Sequence, residues 1–136
     1  MDKIKPELLK TAASQAAQNA HAPFSHYPVG AALMTDNGKI YLGCNMEASS
    51  YGLTVCAERN AIAAAVVAGE RHFRALGIYS LNGASPCGAC RQVIWDLCGD
   101  IDVFLFDADE NVQHLRSADL LPLPFDENKI KDASHK

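Results

Sequence analysis

Two short stretches of this 136-residue chain hold residue types that do chemistry: Cys56-Ala57-Glu58 and Cys87-Gly88-Ala89-Cys90. A thiol pair three residues apart suits a redox couple, half of a metal site or plain packing, and spacing alone leaves all three open. Cys56 adds a third thiol. Three protein ligands leave a fourth position open on a tetrahedral ion, which is the arrangement of a catalytic zinc; a structural zinc is usually closed by four. On a helix, Glu58 turns away from the ligand direction of Cys56 while its carboxylate stays within reach of that open position, where it suits a proton shuttle. An acid at a helix start is also explained by the helix dipole alone, so Glu58 by itself decides nothing.

For these groups to meet, two helices must begin side by side. "TVCAERNAIAAAVVAG" reads as one, with Thr54 as N-cap and Gly69 as its stop, so Cys56 and Glu58 fall in the first turn. "SPCGACRQVIWDLCG" repeats the pattern, with Ser85 as N-cap, Pro86 at the first helical position and Gly99 after the end. Cys87 and Cys90 then share one face of a second first turn. Each helix start acts like roughly half a positive charge and offsets the charge of nearby thiolates. Arg59 either adds hydrogen bonds to sulfur or is simply solvated.

The remaining elements supply the platform. Leu8, Leu9, Ala12, Ala13, Ala16 and Ala20 recur at helical spacing from Pro6 to about Ala20. Two strand-like runs flank Asp36-Asn37-Gly38, a hairpin signal, and end near Asn45. Strands are expected at Phe73 to Ser80 and at "IDVFLF", with "NVQHLRS" as a last edge strand; "ADLLPLPF" then closes the ordered chain before a polar tail from about residue 127. This order predicts a single α/β domain over residues 1–136, a three-layer helix-sheet-helix sandwich with a mixed sheet of about five strands.

Composition narrows the function. Hydrophobic content of 49% is ample for one core, and the net charge of −4 comes without a stripe of Lys and Arg. That argues against a nucleic-acid partner and for a small-molecule ligand. No apolar run approaches the ~20 residues of a membrane span, and five cysteines, an odd number, suit a reducing compartment better than a disulfide framework. The expectation is a soluble, cytoplasmic protein. Cys44 and Cys98 read as small buried hydrophobes. His21, His26, His72, His114 and His135 lack paired ligand spacing and read as non-ligands, and Tyr51 is left outside the site.

The two motifs together resemble the signature of zinc-dependent cytidine deaminases. "APFSHYPVGAAL", "CNMEASSYGLTVCAER", "SPCGACRQV" and "LLPLPF" are similar, in the same order, to blocks of the small homotetrameric members of that family; Ala48 stands where the family pattern has Asn. The resemblance implies one zinc on Cys56, Cys87 and Cys90, with Arg59 hydrogen-bonded to the thiolates. It implies a zinc-bound hydroxide attacking the ring while Glu58 moves protons, so that cytidine or 2′-deoxycytidine becomes uridine or 2′-deoxyuridine and ammonia, in pyrimidine salvage. Phe24 would pack on the pyrimidine, and Asn45 and Glu47 would bind the ribose hydroxyls. The Ala57 N–H would meet the ring carbonyl and the Ser85 carbonyl the exocyclic amine, with Phe125 reaching a neighbouring subunit's substrate.

Three rivals remain at this level. A deaminase of a related cytosine nucleoside, of the blasticidin type, would carry much the same cysteine motifs. A non-catalytic zinc-stabilised binding module would need no Glu58, and a Cys-x-x-Cys thiol oxidoreductase would leave both Cys56 and Glu58 unexplained.

Overall fold

A computed structural model describes residues 3–134. Alternation along the strands sorts the core into two layers. In β1 (Gly30–Thr35), Ala31 and Leu33 point to one side and Ala32 and Met34 to the other. β3 (Phe73–Tyr79) and β4 (Asp102–Phe106) do the same: Leu76, Ile78, Val103 and Leu105 join the first layer, and Ala75, Phe104 and Phe106 the second. β2 (Ile40–Cys44) and β5 (Val112–Arg116) form the edges of a sheet ordered β2-β1-β3-β4-β5. Only β3 and β4 run parallel; the other pairs are antiparallel.

All six residues of β1 are buried, as expected for a strand covered on both faces. Helix α1 (Pro6–Ala17) covers one face through Leu9 and Ala13, and α2 (Ala57–Val67) and α3 (Gly88–Cys98) cover the other through Ala61, Ile62, Ala65 and Ile94. This is the helix-sheet-helix sandwich expected from sequence. Gly38 takes a φ of 87° in the turn of the β1–β2 hairpin, a conformation available to glycine at little cost.

The ends of several elements depart from expectation. α1 stops at Ala17, before Ala20, because the chain peels away to pair with the strand beyond β2: the His21 N–H donates to the Asn45 carbonyl, and the Glu47 N–H to the His21 carbonyl. A short helix α4 (Ser117–Leu120) follows β5 directly. The polar segment expected as a tail contains a helix, α5 (Glu127–Ser134), which Asp126 starts by accepting the Asn128 N–H on its carboxylate.

Candidate active site

Both cysteine-bearing helices begin later than expected, and the cysteines themselves occupy the cap positions. Cys56 precedes α2 with φ −71° and ψ 157°, and Cys87 precedes α3 with φ −67° and ψ 170°, both extended. Thr54 and Ser85 do not cap. Their hydroxyls are engaged elsewhere, Thr54 accepting the Ala48 N–H at 3.1 Å and Ser85 accepting from Arg91 Nη2 at 2.9 Å. Each sulfur of this pair therefore leaves the chain just ahead of a helix N-terminus, and Cys90 follows inside the first turn of α3.

Close packing fixes where the first of these starts sits. A Cβ built on Gly43 of β2 would lie 2.2 Å from the Ala57 carbonyl oxygen and 2.3 Å from the Ala61 nitrogen, both main-chain atoms. Only a residue without a side chain lets α2 settle this deeply on the sheet. The Asn60 amide adds a 2.8 Å hydrogen bond to the Cys44 carbonyl.

The sulfurs of Cys56, Cys87 and Cys90 all lie within 4.8 Å of one another. The Cys56–Cys87 separation of 3.9 Å compares with about 3.8 Å for two sulfurs each ~2.3 Å from a tetrahedral zinc. An all-sulfur donor set with no carboxylate among its members suits a soft or borderline cation. Arg59 Nη2 donates to Cys56 Sγ at 3.6 Å. The hydrogen bond from Cys90, followed by those from Arg59 and Cys87, draws the Cys56 thiol down to about 5. The same bond to Cys56, together with burial, pushes the Cys90 thiol up. The spacing of the three sulfurs and their soft donor character fit the ion.

Beside the sulfurs lies an inner cavity of about 300 Å³, the small end of the range for ligand sites. Cys56, Ala57, Glu58, Ser85 and Cys87 line it together with Tyr27, Asn45 and Glu47. Glu58 is only 4% exposed, and burial is the main reason its carboxyl is held above its ordinary value, with the nearby Cys56 thiolate acting in the same direction. Ala57 is the first residue of α2, where main-chain N–H groups have no partner within the helix.

Asn45 and Glu47 arrive in the cavity already at work. Asn45 accepts the Val29 N–H on Oδ1 and donates from Nδ2 to the Tyr27 carbonyl, each at 2.9 Å. Glu47 Oε1 accepts the Phe24 and Ser25 N–H groups at 3.0 Å, and its Oε2 accepts the Ser25 hydroxyl, bonds that hold its carboxyl below its ordinary value. Together they clamp the segment from Phe24 to Val29, in which His26 takes a φ of 55°.

Two expected residues stand apart from the sulfurs. Phe24 lines an adjoining outer cavity of about 360 Å³ and sets its ring edge-on to Tyr51, centroids 5.6 Å apart, so Tyr51 belongs to that wall. Phe125 is 60% exposed on the segment after α4, which Gln92 holds by donating to the Phe125 carbonyl at 2.6 Å. The aromatic residue of the inner wall is Tyr27, whose hydroxyl donates to Asn82 Oδ1. Sequence reasoning passed over it, although it lies in the same quoted block, three residues beyond Phe24. Cys44 and Cys98 stay outside the cluster; Cys98 packs on the core, and burial pushes its thiol up to about 12. None of the four described histidines joins the cluster, and His135 lies outside the described residues.

A family model described as the cytidine and deoxycytidylate deaminase zinc-binding region matches residues 3–105, which include all three clustered cysteines and Glu58. The chain belongs to this deaminase family. The family is a zinc-binding one, and Cys56, Cys87 and Cys90 form a cluster positioned to hold a metal ion. A cytidine deaminase of Sporosarcina psychrophila is 41% identical over 96% of this chain and 98% of that protein, and one of Halalkalibacterium halodurans 38% identical over 93% and 98%. Among solved structures of the family, the cytidine deaminase of Burkholderia pseudomallei is 41% identical with a TM-score of 0.87, covering 90% of this chain and all of that one. The Mycobacterium tuberculosis enzyme is 36% identical with a TM-score of 0.79, covering 90% and 98%. No described helix is long and apolar enough to cross a membrane.

Proposed function

We propose that the chain hydrolyses cytidine and 2′-deoxycytidine to uridine and 2′-deoxyuridine with release of ammonia, as a step of pyrimidine salvage, and that residues 1–136 act as one catalytic domain. The observation that carries this reading is a buried carboxyl, Glu58, sharing one cavity with Cys56 and Cys87, two of the three clustered cysteines. The naming of relatives as cytidine deaminases supports the choice of substrate.

Cys56, Cys87 and Cys90 would hold the zinc, which would supply a Lewis acid to activate water for attack on the ring. The chain's own groups do the rest. Glu58 accepts the proton released by the attacking water at a carboxylate oxygen and delivers it to the ring nitrogen; it then takes the proton of the newly added hydroxyl and passes it to the amine, which leaves as ammonia while the ring carbonyl forms. The Ala57 N–H binds the ring carbonyl and the Ser85 carbonyl accepts from the exocyclic amine, which sets the reacting carbon toward the sulfurs. Asn45 and Glu47 use their remaining hydrogen-bonding capacity on the sugar hydroxyls, and Phe24 closes the outer side of the ring's approach. Arg59, already bonded to Cys56, balances thiolate charge.

Assembly is the second part of the proposal: a homotetramer in which Phe125 reaches a neighbour's cavity. Leu123, 99% exposed, and Phe125 project from a segment held by its main chain, an arrangement a lone subunit leaves in water. The test of function is direct. Purified protein incubated with cytidine should lose the ultraviolet absorbance of cytosine and release one ammonia per uridine formed; no change with zinc-loaded protein rules the reading out.

A further inference from the structure

One guanidinium in this fold ties three separate stretches of chain together, and none of its bonds belongs to helix or sheet. Arg91 Nε donates to the Pro86 carbonyl at 2.7 Å, Nη2 to the Ser85 hydroxyl at 2.9 Å, and Nη1 to the Leu120 carbonyl at 3.1 Å. The first two acceptors lie in the turn that leads into Cys87; the third ends α4. Arg91 sits one residue beyond Cys90, half-buried. The next side chain, Gln92, repeats the connection further along by holding the Phe125 carbonyl.

Beyond these bonds, the turn is held by the burial of Pro86 and, just before it, by the Ala84 N–H, which donates to the Ser80 hydroxyl at 3.0 Å. Ser85 does not cap α3, Pro86 has no N–H to donate, and a Cβ built on Gly88 would meet nothing within 4 Å outside its own helix. Yet Ser85 and Cys87 both line the inner cavity, so the direction of the Ser85 carbonyl matters to whatever lies there. A planar fork of five donors in rigid relative geometry sets two neighbouring acceptors relative to one another, which the freely rotating donors of an ammonium do less well.

We propose that Arg91 is a positioning residue: it sets the Ser85-Pro86 main chain so that the Ser85 carbonyl selects the exocyclic amine, and through Leu120 it makes the C-terminal segment part of that setting. The inference rests on the cytidine reading above.

The experiment compares the full-length zinc-loaded parent with Arg91→Ala and Arg91→Lys. Zinc per chain is measured by elemental analysis, turnover with cytidine, and equilibrium binding of uridine, which lacks the amine, by calorimetry. Arg91→Ala should keep its zinc and lose about 10- to 100-fold in kcat/KM on cytidine, the scale of a lost hydrogen bond to a charged group. Its affinity for uridine should change several-fold less, so that discrimination between the two ligands falls. Arg91→Lys should recover part of the loss. Parental kinetics in Arg91→Ala, or equal losses on cytidine and uridine, would overturn the proposal. Should Arg91→Ala not fold, Arg91→Lys decides: lowered discrimination with full zinc supports the role, and parental discrimination ends it. A parent that turns over no cytidine overturns the functional reading, and this inference with it; an active parent with an indifferent Arg91→Ala overturns this inference alone.

Discussion

The sulfurs of Cys56 and Cys87 lie 3.9 Å apart although 31 positions separate the two residues in the chain. Each sits in extended backbone at the mouth of a helix, on the face of the sheet opposite α1. The sulfurs converge because α2 and α3 start at the same end of that face, and a carboxyl two residues past Cys56 is carried with them into the buried wall.

Metal retention follows from that convergence. Parent protein should hold about one zinc per chain, and Cys87→Ala well below that, because two sulfurs seldom retain an ion that three secure. Strong chelation should abolish turnover and render the three thiols reactive, and zinc should restore activity. A protein active after complete stripping would sink the metal assignment.

Glu58→Gln isolates the proton work. The amide keeps the shape of the buried side chain but cannot take up a proton, so zinc content and melting temperature should stay near parental. Turnover should drop ~100- to 10,000-fold, the range of general acid-base contributions. Near-normal rates in a zinc-loaded variant would assign the protons to another group.

Gly43→Ala tests the close approach. The added methyl meets main chain of α2 at 2.2 Å and 2.3 Å, which flexible side chains cannot relieve. A cost of about 1–3 kcal/mol is typical of overpacking, and α2 should shift enough to weaken zinc retention as well. Gly52→Ala, where the new methyl meets nothing within 4 Å, serves as the control and should melt with the parent. Equal melting temperatures for all three proteins would show that α2 relocates freely.

Acid stability should depend on the far edge of the sheet. Asp102 Oδ1 sits 2.8 Å from His114 Nε2 and 3.2 Å from Arg116 Nη1 across the β4–β5 pair. Burial opposes its ionisation, but the hydrogen bonds from His114 and Arg116 outweigh it and hold the carboxyl below its ordinary 3.8. A depressed carboxyl stabilises the fold above its unfolded value and loses that contribution as pH falls through the folded one. Asp102→Asn should therefore melt below the parent at neutral pH, with the gap closing in strong acid. A gap that persists unchanged at low pH would point to packing instead of charge.

Phe125→Ala addresses assembly. The variant should keep its zinc, sediment as smaller species than the parent and bind substrate more weakly. A parent that is fully active as a monomer at assay concentration would refute the shared site while leaving the sulfur chemistry intact.

Much of this was open to reading along the chain. Strand alternation, the Asn-Gly turn and helix periodicity are local signals, and they predict the sandwich because each depends on near neighbours in sequence. The meeting of Cys56, Cys87 and Cys90 near Glu58 was legible for a related reason: the spacing within each motif is itself short. Helix starts were less so. Thr54 and Ser85 are good N-caps by type, but a hydroxyl bonds one partner at a time, and Ala48 and Arg91 claimed them.

Sequence by itself determined the residue types, two cysteine-bearing helix starts, and a mixed sheet between helical layers. Tertiary structure alone decided which side chains share a wall. It set Tyr27 in the inner cavity and Phe24 in the outer one, engaged Asn45 and Glu47 in holding that segment, and brought Arg91 to the Leu120 carbonyl. The hydrogen bonds among these relations join residues from 16 to 29 positions apart. No local preference encodes such a contact, because its energy exists only once the sheet has brought both partners together.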